Sequence, residues 1–344
     1  MRILVTGHDG YIGHVLVPLL QGQGHEVVGL DSGYFRHCTF GAEPASPPAL
    51  WKDLREVVLD DLRGFDAVCH LAALSNDPLG NLAPQTTYSI NYDATVRLAR
   101  LAKEAGVKRF VFSSSCSNYG AAGDAMLDES ASFNPVTPYA VSKVRVEHDV
   151  APLADANFSP IFLRSATAYG ASPKLRGDLL VNNLVGHAFT TGEILIQSDG
   201  TPWRPFVHIE DISRAFAAVL EAPREVVHNE AFNVGRTEEN YQVRDIAEMV
   251  REALPGARIV YAPGGSPDAR NYRVRFDKIA SRLPGFRPQW TLRAGIEELH
   301  AAYRAHGLTR EEFLGSRYQR LRTVKELQNA GRLDENLRWL ARAA

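Results

Sequence analysis

Apolar residues along the chain come in short runs separated by longer stretches of helical period. RILVT at 2–6, EVVGL at 26–30, AVCHLAA at 67–73, RFVFSSS at 109–115 and SPIFLRSA at 159–166 are continuous enough to be buried strands. Helices are predicted between them at 12–22, 86–105 and 138–154. In the second, Val96, Leu98, Ala99, Leu101 and Ala102 are apolar, and Gly106 supplies the stop before the next strand. Regular alternation of strand and helix predicts a doubly wound parallel sheet, an α/β fold of Rossmann type.

Past residue 171 the pattern loosens into loops rich in glycine, proline and charge, with helices predicted near 178–190, 243–254 and 293–305. PFVHIEDI, with a helix running on to Leu220, and then AFNVG read as elements that return to the first lobe. The expected division is a Rossmann domain over 1–170 with returning elements near 206–235, a smaller, mainly substrate-binding lobe over 171–310, and a helical extension over 311–344. In the extension Leu314, Tyr318, Leu321, Val324 and Leu327 fall mostly at three- and four-residue steps. They would form one apolar stripe, suited to packing on the same chain or to a subunit contact.

Composition narrows the class of protein. A length of 344 residues with 45% apolar content suits two globular lobes. The net charge of −2, without a long run of like charges, points to neither a nucleic-acid nor a membrane partner. The opening MRILVTGHDG has no room for a signal peptide, and no apolar stretch approaches the roughly 18 residues needed to span a bilayer, so a cytoplasmic protein is expected. Cys38, Cys69 and Cys116 are odd in number and widely spaced, which fits neither a disulfide framework nor a zinc site; reduced thiols and no metal are expected.

TGHDGYIG at 6–13 places Gly7, Gly10 and Gly13, with Tyr11 and Ile12 among them, between a strand and a helix. Glycine there permits a tight turn, close approach of a pyrophosphate and helix–strand packing, and the helix N-terminus faces the phosphates. Asp31 ends the next strand at the distance where a carboxylate bonds the adenosine ribose. It would repel a 2′-phosphate, so NAD is favoured over NADP, with Arg36 nearby as the contrary sign.

Tyr139 and Lys143 form Y-x-x-x-K on a predicted helix, one turn apart on one face, and Ser113 to Ser115 end the preceding strand at the carboxyl edge of the sheet. With the glycine turn, these residues resemble the extended short-chain dehydrogenase/reductase family, in its nucleotide-sugar epimerase and dehydratase branch. Further landmarks are Asp61-Leu62, HLAA at 70–73, Asn91, SSSCSNYG at 113–120, YAVSK at 139–143, LRSATAYG at 163–170 and DGTPWRPFVHIED at 199–211. The resemblance implies that Asp61 and Leu62 border the adenine, Leu71, Ala72 and Ala73 the centre of the cofactor, and Lys143 the nicotinamide ribose, with Asn91, Ser113 and Tyr139 as further cofactor contacts. It makes Ser115 the catalytic serine and Arg204 a contact of the substrate diphosphate. It offers Ser75, Asn76, Asn182 and Asn183 as sugar or diphosphate contacts, although a plain turn and a polar helix face explain them comparably well. A homodimer through the helices at 86–105 and 138–154 is also implied.

The chemistry requires these groups. A tyrosine must take the proton of a sugar hydroxyl while NAD takes the hydride from the same carbon, yet a phenol ordinarily has a pKa of about 10. Bringing it toward neutrality takes roughly 4 kcal/mol of differential interaction, expected from Lys143, the positive nicotinamide ring and a partly desolvated pocket together. The family's 4,6-dehydratases carry an Asp-Glu pair after the catalytic Ser/Thr; here Cys116 and Ser117 stand there. Cys116 reads more readily as a small packed hydrophobe than as a functional thiol. A nucleotide-sugar 4-epimerase is the leading expectation, a 4-ketoreductase or dehydrogenase the next, and a dinucleotide-binding sensor without chemistry the last. One departure concerns the family's R-x-x-D, which is Gly265-Ser266-Pro267-Asp268 here; Arg270, or less readily Arg273, would supply the missing cation.

Overall fold

The computed structural model describes residues 1–75, 77–263 and 270–340. Its centre is a seven-stranded parallel sheet in the order Glu230–Val234, Ser159–Ser165, Arg109–Ser115, Ala67–His70, Arg2–Thr6, Glu26–Asp31, Ala49–Trp51. Successive side chains on each strand point to opposite faces, and the two faces are packed by different residues. Ile3, Val5, Cys69, Val111, Ile161 and Leu163 meet the helices Gly13–Gly22 and Ile209–Glu221 on one side. Leu4, Val68, Phe110, Phe112 and Phe162 meet Ala94–Glu104 and Pro138–Val150 on the other. Burial on both faces explains why the strands read as continuous apolar runs.

The strand order reverses between Arg2–Thr6 and Ala67–His70, which opens a crevice at the carboxyl ends of these two strands. Over it stands a second lobe built on Val181, Leu184, Val185, Ile246, Val250, Ile296 and Leu299 of the helices Leu180–Thr191, Val243–Ala253 and Leu292–Ala305. Trp203–His208 joins the lobes through a small sheet, pairing parallel with Thr167–Tyr169 and antiparallel with Asn240–Gln242. No described helix is long and apolar enough to cross a membrane.

Two predicted helices differ. The span 86–105 is Pro84–Tyr88, a five-residue π-helical turn Ser89–Asp93, and Ala94–Glu104. The wide turn coincides with Asn91, whose side chain is tied to the backbone of Leu74. The C-terminal stripe is not one helix either: Arg310–Leu314 and Arg320–Asn329 are separated at Gly315, and the intervening segment is held by the Gly177 N–H donating to the Tyr318 carbonyl at 2.9 Å. Leu314 and Tyr318 therefore pack on the second lobe, whereas Leu321, Val324 and Leu327 pack on Tyr34, Leu74, Leu79 and Ile90. The stripe is consumed within the chain.

Candidate active site

The crevice is a cavity of about 780 Å³ lined at one end by Gly7, Gly10, Tyr11, Ile12, Gly13 and Asp31. Gly7 has φ +74°, and a Cβ on it would stand 2.8 Å from the Ala72 nitrogen, so the turn approaches Leu71–Ala73 this closely only without a side chain. A Cβ on Gly13 would overlap the carbonyl oxygens of Gly7 and His8. The Asp31 carboxylate accepts from the main-chain N–H of Gly33 at 2.8 Å and of Asp9 at 3.3 Å, which orients it, while burial pushes its pKa up. A bare turn opening a helix, with an oriented acid at the end of the neighbouring strand, fits the pyrophosphate and ribose of a dinucleotide.

Ser115, Tyr139 and Lys143 meet farther along the same wall. Their helix begins where Thr137 Oγ1 accepts from the Ala140 N–H at 3.2 Å and Pro138 takes the first helical position. Ser115 Oγ accepts from the Ser117 N–H at 3.1 Å and from Ser117 Oγ at 2.9 Å. Lys143 Nζ donates to the Ser113 carbonyl at 2.6 Å and lies 4.5 Å from the centre of the Phe112 ring. Burial pushes the Lys143 ammonium down to about 7, with Glu147 opposing. Burial also pushes the Tyr139 phenol up to about 12, with Asp77 adding to it and the Ser115 hydrogen bond and Arg176 working against it. The pocket thus penalises both charged forms.

Behind this wall Glu147, one turn beyond Lys143, gathers a buried network. It accepts from Ser114 Oγ at 2.5 Å, Asn118 Nδ2 at 3.1 Å and Arg164 Nη2 at 2.6 Å. Arg164 Nη1 reaches Tyr119 OH at 3.1 Å, and Tyr119 OH donates to Asn233 at 2.8 Å. The network ties the helix bearing Tyr139 and Lys143 to three strands of the sheet.

The profile of the NAD dependent epimerase/dehydratase family matches residues 3–235. The chain belongs to this family. It is 31% identical to a UDP-glucose 4-epimerase of Mycolicibacterium smegmatis over 86% of this chain and 96% of the relative. The solved structure of MoeE5 in complex with UDP-glucuronic acid and NAD matches with TM-score 0.77 at 30% identity, covering 89% of this chain and 99% of that one. DesIV, a dTDP-glucose 4,6-dehydratase from Streptomyces venezuelae with NAD bound, matches with TM-score 0.79 at 25% identity, covering 91% and 100%. Members similar to this chain thus include both epimerases and dehydratases.

The residues expected at the site separate into several groups. The glycine turn with Tyr11 and Ile12, Asp31, Leu71–Ala73, Ser113, Ser115, Tyr139, Lys143, Ser75, Asn183, Arg204 and Arg270 all line the cavity. Asp61 and Leu62 do not: Asp61 holds Lys52 at 2.7 Å, and it is Lys52 that lines the cavity, while Leu62 is fully buried in the core. Asn91 acts on Leu74 rather than on the cavity. Asn182 is fully buried, accepting from the Gly170 N–H and donating to the Arg176 carbonyl at 3.0 Å, so it holds the loop instead of meeting a sugar. Arg36 stacks on Trp51 and Arg273 on Trp203. Asn76 and the Gly265–Asp268 segment lie outside the described residues.

Several wall residues carry no sequence signal. Arg176 pairs with Asp178 through Nε and Nη2, each at 3.0 Å, and donates from Nη1 to Ser75 Oγ at 3.0 Å. Asp77 is engaged by Arg270. Gln319 and Arg320 arrive from the C-terminal extension. No local spacing marks them as members of this wall.

Proposed function

We propose that the chain is a nucleotide-sugar 4-epimerase that holds NAD and works through a transient 4-keto sugar. What carries this reading is the pair of residues beside the Ser115, Tyr139 and Lys143 set. Cys116 is buried, its Sγ donating to the Arg164 carbonyl at 3.1 Å, and Ser117 is hydrogen-bonded to Ser115, so neither supplies the carboxyl groups that loss of water across C5 and C6 requires. Asp77 and Asp178, which also line the cavity, are engaged by Arg270 and Arg176.

In this reading the N–H groups of the glycine turn bind the pyrophosphate, Asp31 the adenosine ribose and Lys143 the nicotinamide ribose. Tyr139 takes the C4 hydroxyl proton as C4 loses its hydride, and Ser115 Oγ hydrogen-bonds the same oxygen. Bound NAD supplies the hydride acceptor, the donor for its return, and a positive ring that favours the Tyr139 phenolate. The keto sugar turns while Arg204 and Arg270 hold its diphosphate, and Tyr139 gives the proton back when the opposite face of C4 is reduced. Packing of a second copy on the 86–105 and 138–154 faces, to be checked by light scattering, completes the expected homodimer.

The deciding experiment purifies the protein without added cofactor, identifies any released dinucleotide by mass, and incubates it with UDP-, dTDP-, GDP- and CDP-hexoses. Copurified NAD, a 4-epimerised product and no net NADH are expected, and Tyr139→Phe should abolish turnover. Activity that needs stoichiometric nicotinamide cofactor would overturn the epimerase reading in favour of a ketoreductase or dehydrogenase.

A further inference from the structure

The C-terminal extension carries a buried cation to the cofactor end of the cavity. Arg320 is 4% exposed and lines the cavity. Its Nη2 donates to the Lys174 carbonyl at 3.0 Å, and its guanidinium lies 4.2 Å from the centre of the Phe35 ring. Nη1 is buried without a hydrogen-bond partner among the described residues. Burial pushes the pKa of the group down, with Arg176 adding to this and Cys38, Asp178 and Asp31 opposing it. A desolvated guanidinium in this state is costly, and an anion that accepts from it removes the cost.

The surroundings select the anion. Arg320 grips the carbonyl of Lys174, in the segment that touches the glycine turn: Ser172 Oγ donates to the Tyr11 carbonyl at 2.8 Å, and Lys174 Nζ lies 3.5 Å from Asp9. Gln319 and Arg320, which both line the cavity, are the N-cap and first residue of the ten-residue helix Arg320–Asn329, which has no side-chain cap, so the positive end of that helix lies at the same wall. Arg204, by contrast, stands on the strand Trp203–His208 and donates to the carbonyl of Arg270. Residue 320 also lies beyond the 3–235 span matched by the family profile.

We propose that Arg320 binds the pyrophosphate of the dinucleotide alongside the glycine turn, which makes the C-terminal extension part of the cofactor site. The planar guanidinium keeps an Nη1 that no described residue accepts from, and a phosphate oxygen brought to it would be held in a planar geometry that lysine cannot reproduce. The inference rests on the NAD dependence of the family and not on epimerisation, and its test needs no turnover. If the sugar panel shows some other activity, the binding result keeps its meaning.

Full-length wild type, Arg320→Gln and Arg320→Lys, stripped of dinucleotide and shown by thermal unfolding to be folded, are titrated with ADP-ribose, adenosine and UDP. ADP-ribose affinity should fall at least tenfold in Arg320→Gln and by a smaller factor in Arg320→Lys, while adenosine and UDP stay within about twofold. Unchanged ADP-ribose affinity overturns the proposal. Equal losses for ADP-ribose and adenosine also overturn it, since they mark a role in shaping the loop. A loss confined to UDP assigns the guanidinium to the diphosphate of the substrate and overturns it as well. Should Arg320→Gln not fold, Arg320→Lys decides by the same comparison.

Discussion

Tyr139 and Lys143 face one difficulty from opposite sides: the pocket that must hold a phenolate beside an ammonium disfavours each charge alone. The consequence is measurable without substrate. An unfolded chain keeps its lysines protonated to about pH 10, whereas folded Lys143 releases its proton near 7. Between these values the unfolded state binds more protons, so stability rises with pH through that interval and the burial cost is fully present below it. On dinucleotide-free protein, the stability of wild type relative to Lys143→Met should improve by about 1.4 kcal/mol per pH unit between roughly 7.5 and 9.5, read by urea unfolding. A difference that stays flat across that range would show that Lys143 is not desolvated as described.

The Pro138–Val150 helix is placed by Glu147 as much as by its apolar face. Its carboxylate answers Arg164 in a pair of which both side chains are 7% exposed. Glu147→Gln preserves shape but leaves a buried guanidinium without its counter-charge, a change that costs about 3–5 kcal/mol. Denaturant titration should show that loss, together with lower turnover because the same change removes the group that favours protonated Lys143. A loss under about 1 kcal/mol would mean that water or a neighbouring group replaces the carboxylate. The π-helical turn Ser89–Asp93 serves a comparable placing function, since it accompanies the buried bonds of Asn91 to the loop that borders the cofactor end.

The lobes and the extension are joined through the cavity. Leu327 is 6% exposed in the cluster with Tyr34, Leu74 and Ile90, which connects the extension to the loop after Asp31 and to the segment after Ala73. Trp339 Nε1 donates to the Ser32 carbonyl at 2.6 Å and reinforces the same join. Leu327→Ala should destabilise the protein by about 2–5 kcal/mol. It should also lower the ratio of NAD to protein on purification, because the cofactor loop loses its support. Thermal unfolding and a dinucleotide assay check both; a destabilised variant that keeps its full complement of cofactor would separate the extension from the site.

The amino-acid sequence by itself determined the doubly wound sheet, the glycine turn, Asp31, the serine cluster at 113–115 and the Tyr139-x-x-x-Lys143 spacing, among which the family resemblance picks out Ser115. These rest on local periodicity, on turn chemistry and on positions at strand ends, which neighbouring residues encode. Tertiary structure decided that Leu62 is core, that Asn182 and Asn91 position loops, and that one apolar stripe divides at Gly315 between two clusters. It also decided that Arg164 answers Glu147 and that Arg320 reaches the cavity. Each of these depends on which distant side chain arrives at a given wall, and desolvation there sets whether a charge is paired, shifted or left waiting for a ligand.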